Sequence, residues 1–314
     1  MTDAGYNKYD RPRVDVDALY RDTSPPFTPY TNPFRAIYGT RLLPLTARRV
    51  VWQLLTQTHV DLFWFFDFRR YWSKALKLRP LWGVEDFYFL RAYYRISFGR
   101  IEVADSTEAE AHMAAWKSSE LLYFLMQQVY VESKTREFEM LRLTRRYLGR
   151  GTGRYLEFGS GIGPITQTFL DFEPGARASR FYVSDIRTVA FHYATERFRS
   201  RPNVTCVPLE EANELHLPAD FPGDLDAIYC ITVFEHLHAP MITIQRLHGL
   251  LKPGGLFFFD YIQSEGTGLD SAAGVRERAA VLQFVREHFD VVVGAIDPAG
   301  SVPLTVVRKK QPGG

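Results

Sequence analysis

Residues 155–164 read YLEFGSGIGP: an apolar run, an acid, three glycines at every second position and a closing proline. Side chains this small leave a bare backbone. A strand that ends in such a turn before a helix aims its N–H groups at a ligand across the turn, and Pro164 suits the first position of that helix. In the dinucleotide-binding fingerprint a third glycine stands three positions after the second. That position is Pro164 here, so the spacing excludes the NAD-type turn.

On the C-terminal side of the turn, short β-branched or aromatic runs alternate with helical stretches: RYLEFG, RFYVSD, NVTCVPL, LDAIYCITVF, GLFFFDYI, DVVVGAI and PLTVVRK. Continuous apolar strands separated by helices predict a mostly parallel sheet covered on both faces. Only a short connection containing PAGS joins the last two runs. It cannot hold a helical crossover, so these two should pair antiparallel. Gly254 and Gly255 read as turn glycines.

On the N-terminal side, residues 107–148 keep an apolar stripe of helical period until Gly149 and Gly151, with Thr107 and Glu110 spaced as a capping box. One or two helices are expected there. Residues 46–104 are dense in Trp, Phe and Tyr and should also be helical. Residues 1–45 carry Pro25, Pro26, Pro29, Pro33 and Pro44 and predict an irregular arm. The organisation is thus an arm over 1–45, a helical aromatic-rich cap and substrate region over 46–150, and a nucleotide-cofactor domain over 151–314.

With 314 residues, 46 % hydrophobic, the chain can bury a large core. Its net charge of +2 does not point to nucleic acid, although residues 1–100 hold 16 Lys/Arg against 9 Asp/Glu, which leaves −5 for the rest. That asymmetry suggests an anionic ligand near the N-terminal half, or simply a solvated basic face. Cys206 and Cys230 lie in apolar runs and read as buried free thiols, consistent with a cytoplasmic setting. The N-terminus lacks the order of a signal peptide. No run approaches the roughly 18 apolar residues of a membrane span; the nearest, HVDLFWFFDF, contains Asp61 and Asp67.

The glycine run, Glu157 before it and Asp185 closing the next strand resemble the class I S-adenosylmethionine-dependent methyltransferases. The likeness extends over residues 150–310, through EEANELHLP, DAIYCITVFEHL and LLKPGGLFFFDY. It implies a Rossmann-like seven-stranded sheet with an antiparallel last strand, S-adenosylmethionine as cofactor and S-adenosylhomocysteine as product. It also implies a cofactor site of Glu157, Gly159, Ser160, Gly161, Gly163, Asp185, Ile186, Glu211, Ala212 and Thr232. Glu157 would lie near the methionine amine or be satisfied by local backbone, Asp185 would hold the ribose, and Ile186 would pack on adenine. Glu211 or Glu210 would face the adenine amine.

Ligands of an open α/β sheet sit beyond the carboxyl ends of the strands, here Phe234, Glu235 and His236 after the fourth and Asp260 and Tyr261 after the fifth. His236 is the candidate general base, because an imidazole titrates near neutrality; capping the helix that starts near Ala239 is its other possible role. Relatives in small-RNA and ubiquinone methylation carry Glu-x-x-Glu-His here as metal ligands. This chain has Thr232 at the first of them, so no metal is expected. His192, His216, His238 and His248 show no ligand spacing.

The aromatics Trp64, Phe65, Tyr71, Trp72, Phe87, Tyr93 and Tyr94 either form a core or line an acceptor pocket. A small-molecule acceptor, aromatic or anionic and methylated on oxygen in preference to nitrogen or carbon, is the expected substrate. A nucleic-acid methyltransferase and a non-catalytic scaffold are the alternatives. Nothing in the sequence speaks to the oligomeric state.

Overall fold

The structure, a computed structural model, describes residues 14–22, 27, 30–40, 42–99, 109–150, 152–209, 217–218, 220–263 and 269–311. Strands β1 (Arg154–Phe158), β2 (Arg180–Asp185), β3 (Val204–Pro208), β4 (Leu225–Cys230), β5 (Leu251–Tyr261), β6 (Phe289–Val293) and β7 (Val302–Lys309) form one seven-stranded sheet in the order β3-β2-β1-β4-β5-β7-β6. β1 to β5 pair parallel, and β7 runs antiparallel to both β5 and β6. Glycines 254 and 255 lie inside β5, where the pairing jumps from Leu225 with Leu251 to Ala227 with Leu256.

Side chains alternate between the two faces of the sheet, as a period of two requires. Leu156, Phe158, Ile228, Cys230, Phe257 and Phe259 pack against α11 (Pro240–Leu250) and α12 (Ala272–His288). Tyr155, Ala227, Tyr229 and Phe258 pack on the other face against α8 (Phe138–Leu148) and α9 (Pro164–Phe172). The sheet therefore reads as near-continuous apolar runs because both faces are covered. The order of strands reverses beside β1, which places a crevice at the carboxyl ends of β1 and β4.

The arm is not wholly irregular, since it holds α1 (Val16–Arg21) and the single turn α2 (Arg35–Tyr38). α3 (Leu45–Gln57), α4 (Phe63–Arg70) and α5 (Val84–Phe98) follow. The stretch expected as one or two helices is three: α6 (Ala109–Trp116), α7 (Leu122–Thr135) and α8. Extended Ser118 separates the first two and Arg136, at φ 44°, the last two. Thr107, half of the expected capping box, lies outside the described residues.

Phe65, Tyr71, Trp72, Phe87 and Tyr94 are buried in one core with α7 and with Val189, Ala190 and Tyr193 of α10 (Val189–Phe198); Trp64 and Tyr93 pack on its edge. The N-terminal helices thus share a core with the sheet domain. An ionic seam reinforces this contact. Arg35 pairs with Asp171 at 2.9 Å, Arg136 with Asp171 at 3.2 Å and Glu132 at 2.6 Å, and Arg197 with Glu132 at 2.7 Å. Of the basic residues of 1–100, Arg35 is engaged here. Among the described residues no helix is long and apolar enough to cross a membrane. Both cysteines are free, Cys230 buried and Cys206 half-buried on the edge strand β3.

Candidate active site

A cavity of about 320 Å³ opens at the carboxyl ends of β1, β2 and β4. One end is the glycine turn. Gly159, Gly161 and Gly163 have φ of 65°, 52° and 71°, the left-handed region that side chains avoid. A Cβ on Gly159 would also lie 2.3 Å from the Val233 side chain. Gly163 caps α9, with Pro164 at its first position.

Glu157 and Ser160 face this turn. Each Glu157 oxygen accepts a backbone N–H at the start of α9, from Ile165 at 3.0 Å and Thr166 at 2.8 Å. Of the two roles open for Glu157, the hydrogen bonds are those of a carboxylate satisfied by local backbone. Burial nevertheless raises its pKa to about 7, the Thr166 and Ile165 bonds opposing. The Ser160 hydroxyl is buried without a partner among the described residues, and Ser160 lines the cavity. An orphaned buried hydroxyl beside bare backbone marks a place for a polar ligand group.

Asp185 closes β2 and accepts from Gly161 N at 2.5 Å and Ile186 N at 2.7 Å. Burial, opposed by these bonds, raises its pKa to about 6. Ile186 and Thr232 line the cavity beside it, whereas Gly161 and Gly163 hold the turn from behind. Glu211, Ala212 and Glu210 lie outside the described residues.

The far end is built around one carbonyl. His236 sits in a 3-10 turn, Phe234–His236, and its Nδ1 lies 2.9 Å from Leu269 O and 3.1 Å from an Asp270 carboxylate oxygen. A carbonyl only accepts, so Nδ1 carries the proton and the neutral ring leaves Nε2 bare. Burial works against a charged ring, but the Asp270 hydrogen bond and the charges of Glu235 and Asp270 outweigh it, so the His236 pKa is raised. Trp116 meets the imidazole edge-on, with centroids 5.2 Å apart. Glu235 is absent from the cavity lining and is buried, its carboxylate without a partner among the described side chains and its pKa raised to about 7 by burial.

Two histidines that carry no motif join this end. His112 of α6 donates from Nε2 to the same Leu269 carbonyl at 2.6 Å, and its Nδ1 accepts from His238 Nε2 at 2.8 Å. Burial lowers the pKa of both. Met113, Trp116 and Phe124 supply apolar wall, and Gln128 and Glu137 reach the glycine end. None of the aromatics Trp64, Phe65, Tyr71, Trp72, Phe87, Tyr93 and Tyr94 lines the cavity. The N-terminal half reaches it through residues 109–137 alone among those described.

Residues 156–257 match a family model described as a methyltransferase domain. Over 46 residues the chain is 41 % identical to a ubiquinone biosynthesis O-methyltransferase of Azotobacter vinelandii (strain DJ / ATCC BAA-1303), a match covering 15 % of this chain and 20 % of that protein. The chain thus spans about a fifth of the length of the curated relative it matches. Among solved structures, the 1,6-didemethyltoxoflavin-N1-methyltransferase of Burkholderia thailandensis, with bound 1,6-didemethyltoxoflavin and S-adenosylhomocysteine, is 17 % identical at a TM-score of 0.42, covering 74 % of this chain and 93 % of that one. A SAM-dependent methyltransferase from Aquifex aeolicus is 16 % identical at a TM-score of 0.39, covering 57 % and 90 %. The orphaned Ser160 hydroxyl, the bare turn and the Asp185 carboxylate suit the hydroxyl- and amine-bearing cofactor of such a domain. Residues 156–257 are thus matched as a methyltransferase domain, and the bare glycine turn lies within them.

Proposed function

We propose that the chain is an S-adenosylmethionine-dependent methyltransferase that methylates a hydroxyl on a small, largely apolar molecule, with His236 as general base. The observation that carries this reading is the locked His236 ring: Nδ1–H is held by Leu269 O at 2.9 Å with Asp270 behind it, in a residue that lines the cavity. The cofactor supplies an electrophilic methyl group on sulfur. His236 Nε2 takes the acceptor's hydroxyl proton, and Asp270 stabilises the imidazolium that results. Asp270 is a positioning residue, because it acts through the ring. Met113, Trp116 and Phe124 hold the acceptor and exclude water, so orientation and desolvation supply much of the remaining rate.

An anionic acceptor fits this cavity poorly. No Lys or Arg is among its described lining residues, while Glu137, Glu157 and Asp185 are. Of the basic residues of 1–100 that suggested an anion, Arg35 is engaged instead in the seam at Asp171. The N-terminal half would serve as cap and substrate region through α6 and the start of α7. A cytoplasmic setting accords with two free thiols.

The test is transfer of labelled methyl from S-adenosylmethionine to a panel of small phenols, alcohols, amines and carboxylic acids. Product carrying the label on a hydroxyl oxygen is expected. Labelling of amines or carboxylates alone would overturn the hydroxyl assignment, and no labelled product from any acceptor pool would overturn the activity.

A further inference from the structure

The amino-acid end of the cofactor carries an ammonium and a carboxylate, and the glycine turn offers the ammonium little. Both Glu157 oxygens already accept from Ile165 and Thr166. No Lys or Arg among the described lining residues answers the carboxylate. Two side chains from the N-terminal half enter this gap. Gln128 of α7 accepts from Ile162 N at 3.2 Å, which fixes its amide against the turn. Its nitrogen packs so closely that a Cβ on Gly161 would lie 2.3 Å from it, and it donates to none of the described residues. Glu137 stands at the head of α8, docked on α9 by its own N–H to Thr168 Oγ1 at 3.2 Å. Glu137 lines the cavity, and its carboxylate accepts from none of the described residues.

We propose that Glu137 and Gln128 hold the amino-acid end of the cofactor, Glu137 binding the ammonium and the free Gln128 amide N–H the carboxylate. An acid and an amide donor both line the cavity that the turn closes, Gln128 against Gly161 and Ile162 and Glu137 within electrostatic reach of Glu157, the pair of groups a zwitterion requires. Burial and the charge of Glu132 raise the Glu137 pKa, and Glu137 in turn raises that of Glu157. A cation between Glu137 and Glu157 relieves this repulsion. The orphaned Ser160 hydroxyl lies on the same wall. The cofactor site is then completed by helices outside the matched 156–257 domain, so cofactor binding and docking of the N-terminal half are coupled. The assignment does not depend on which acceptor is methylated.

Calorimetry on the full chain with three ligands tests it: S-adenosylhomocysteine, decarboxylated S-adenosylmethionine, and 5′-methylthioadenosine, which lacks the amino-acid end. Glu137→Gln should weaken S-adenosylhomocysteine about 10- to 100-fold, the range for a charge-assisted hydrogen bond, and leave 5′-methylthioadenosine unchanged. Gln128→Glu keeps the oxygen that accepts from Ile162 and replaces the donor by an anion. It should weaken S-adenosylhomocysteine about tenfold or more while sparing the decarboxylated ligand. Equal losses for all three ligands would reduce both residues to structural roles, and unchanged affinities would remove them from the site. A third arm uses the unaltered protein, so folding of a variant does not decide the matter. S-adenosylhomocysteine acetylated on its amine should bind at least about tenfold more weakly than the parent, and equal binding would overturn the ammonium site.

Discussion

The two ends of the cavity are built differently. At the glycine end, Glu157, Gly159, Ser160, Gly163 and Pro164 belong to one strand, turn and helix, and Asp185 closes the neighbouring strand. At the far end, His112 and His236 meet on the carbonyl of Leu269, and His112 lies 157 residues from that carbonyl in the chain. A site on one supersecondary unit shows in the order of residues. A site closed by helices from elsewhere shows only in the fold. On the proposed reading the contrast also divides the chemistry: the cofactor end is local apart from Gln128 and Glu137, and the acceptor end is assembled from distant segments.

Removing the proposed base should separate the two ends most sharply. His236→Ala is expected to lower turnover by about 10²–10⁴-fold, the usual range for general acid–base catalysis, with calorimetric affinity for S-adenosylhomocysteine little changed. A loss below about tenfold would return His236 to a structural role at the 3-10 turn. An equal fall in cofactor affinity would show that the ends are not independent.

The mostly parallel sheet, the antiparallel last pair and the helix start at Pro164 were legible, because alternating apolar runs and Gly/Pro punctuation act locally. Glu157 was less so: a carboxylate at the end of a buried strand costs free energy without partners, and the sequence does not show that the first turn of α9 supplies two. Asp270 and His112 carry no signal at all. His112 reads as one polar residue in AEAHMAAW, and its burial at 1 % exposure comes from the docking of α6 on Leu269 and His238. The aromatics of 63–94 signalled a core without saying where it lay, since packing against α10 is tertiary information.

Asp270→Asn should have a smaller effect, because Leu269 O still holds Nδ1–H and preserves the tautomer. A loss of about 10- to 100-fold in kcat/KM is expected, the size of one charge-assisted hydrogen bond. The pH profile distinguishes this from a structural defect. A base at His236 would work as the neutral ring, so activity should fall as pH drops through the His236 pKa, which Asp270 helps to raise. Glu235, Asp260 and Asp185 also act on His236 and remain in the variant. The acidic limb should therefore move to lower pH in Asp270→Asn. A limb that stays in place would mean that Asp270 does not act through the ring.

The smallest effect is expected from metal removal, and it tests whether the assembled end works through protons alone. Thr232 stands where a first carboxylate ligand would be, at φ 56°, with its N–H donating to Asp260 at 2.5 Å and its hydroxyl 3.4 Å from the other Asp260 oxygen. Asp260 is thereby engaged, Glu235 does not line the cavity, and His236 Nδ1 is committed to Leu269. Among the described residues no group of three His, Cys, Asp or Glu is placed to hold a metal ion. A hard cation needs several oxygen ligands, and a threonine hydroxyl replaces an anionic one poorly. Dialysis of the active protein against a chelator should leave kcat/KM within about twofold, and added magnesium should not raise it. Activity that vanished on chelation and returned with magnesium would put a Lewis acid at the acceptor oxygen. His236 would then be a ligand instead of a base, and the contrast between the two ends would have to be redrawn around the ion.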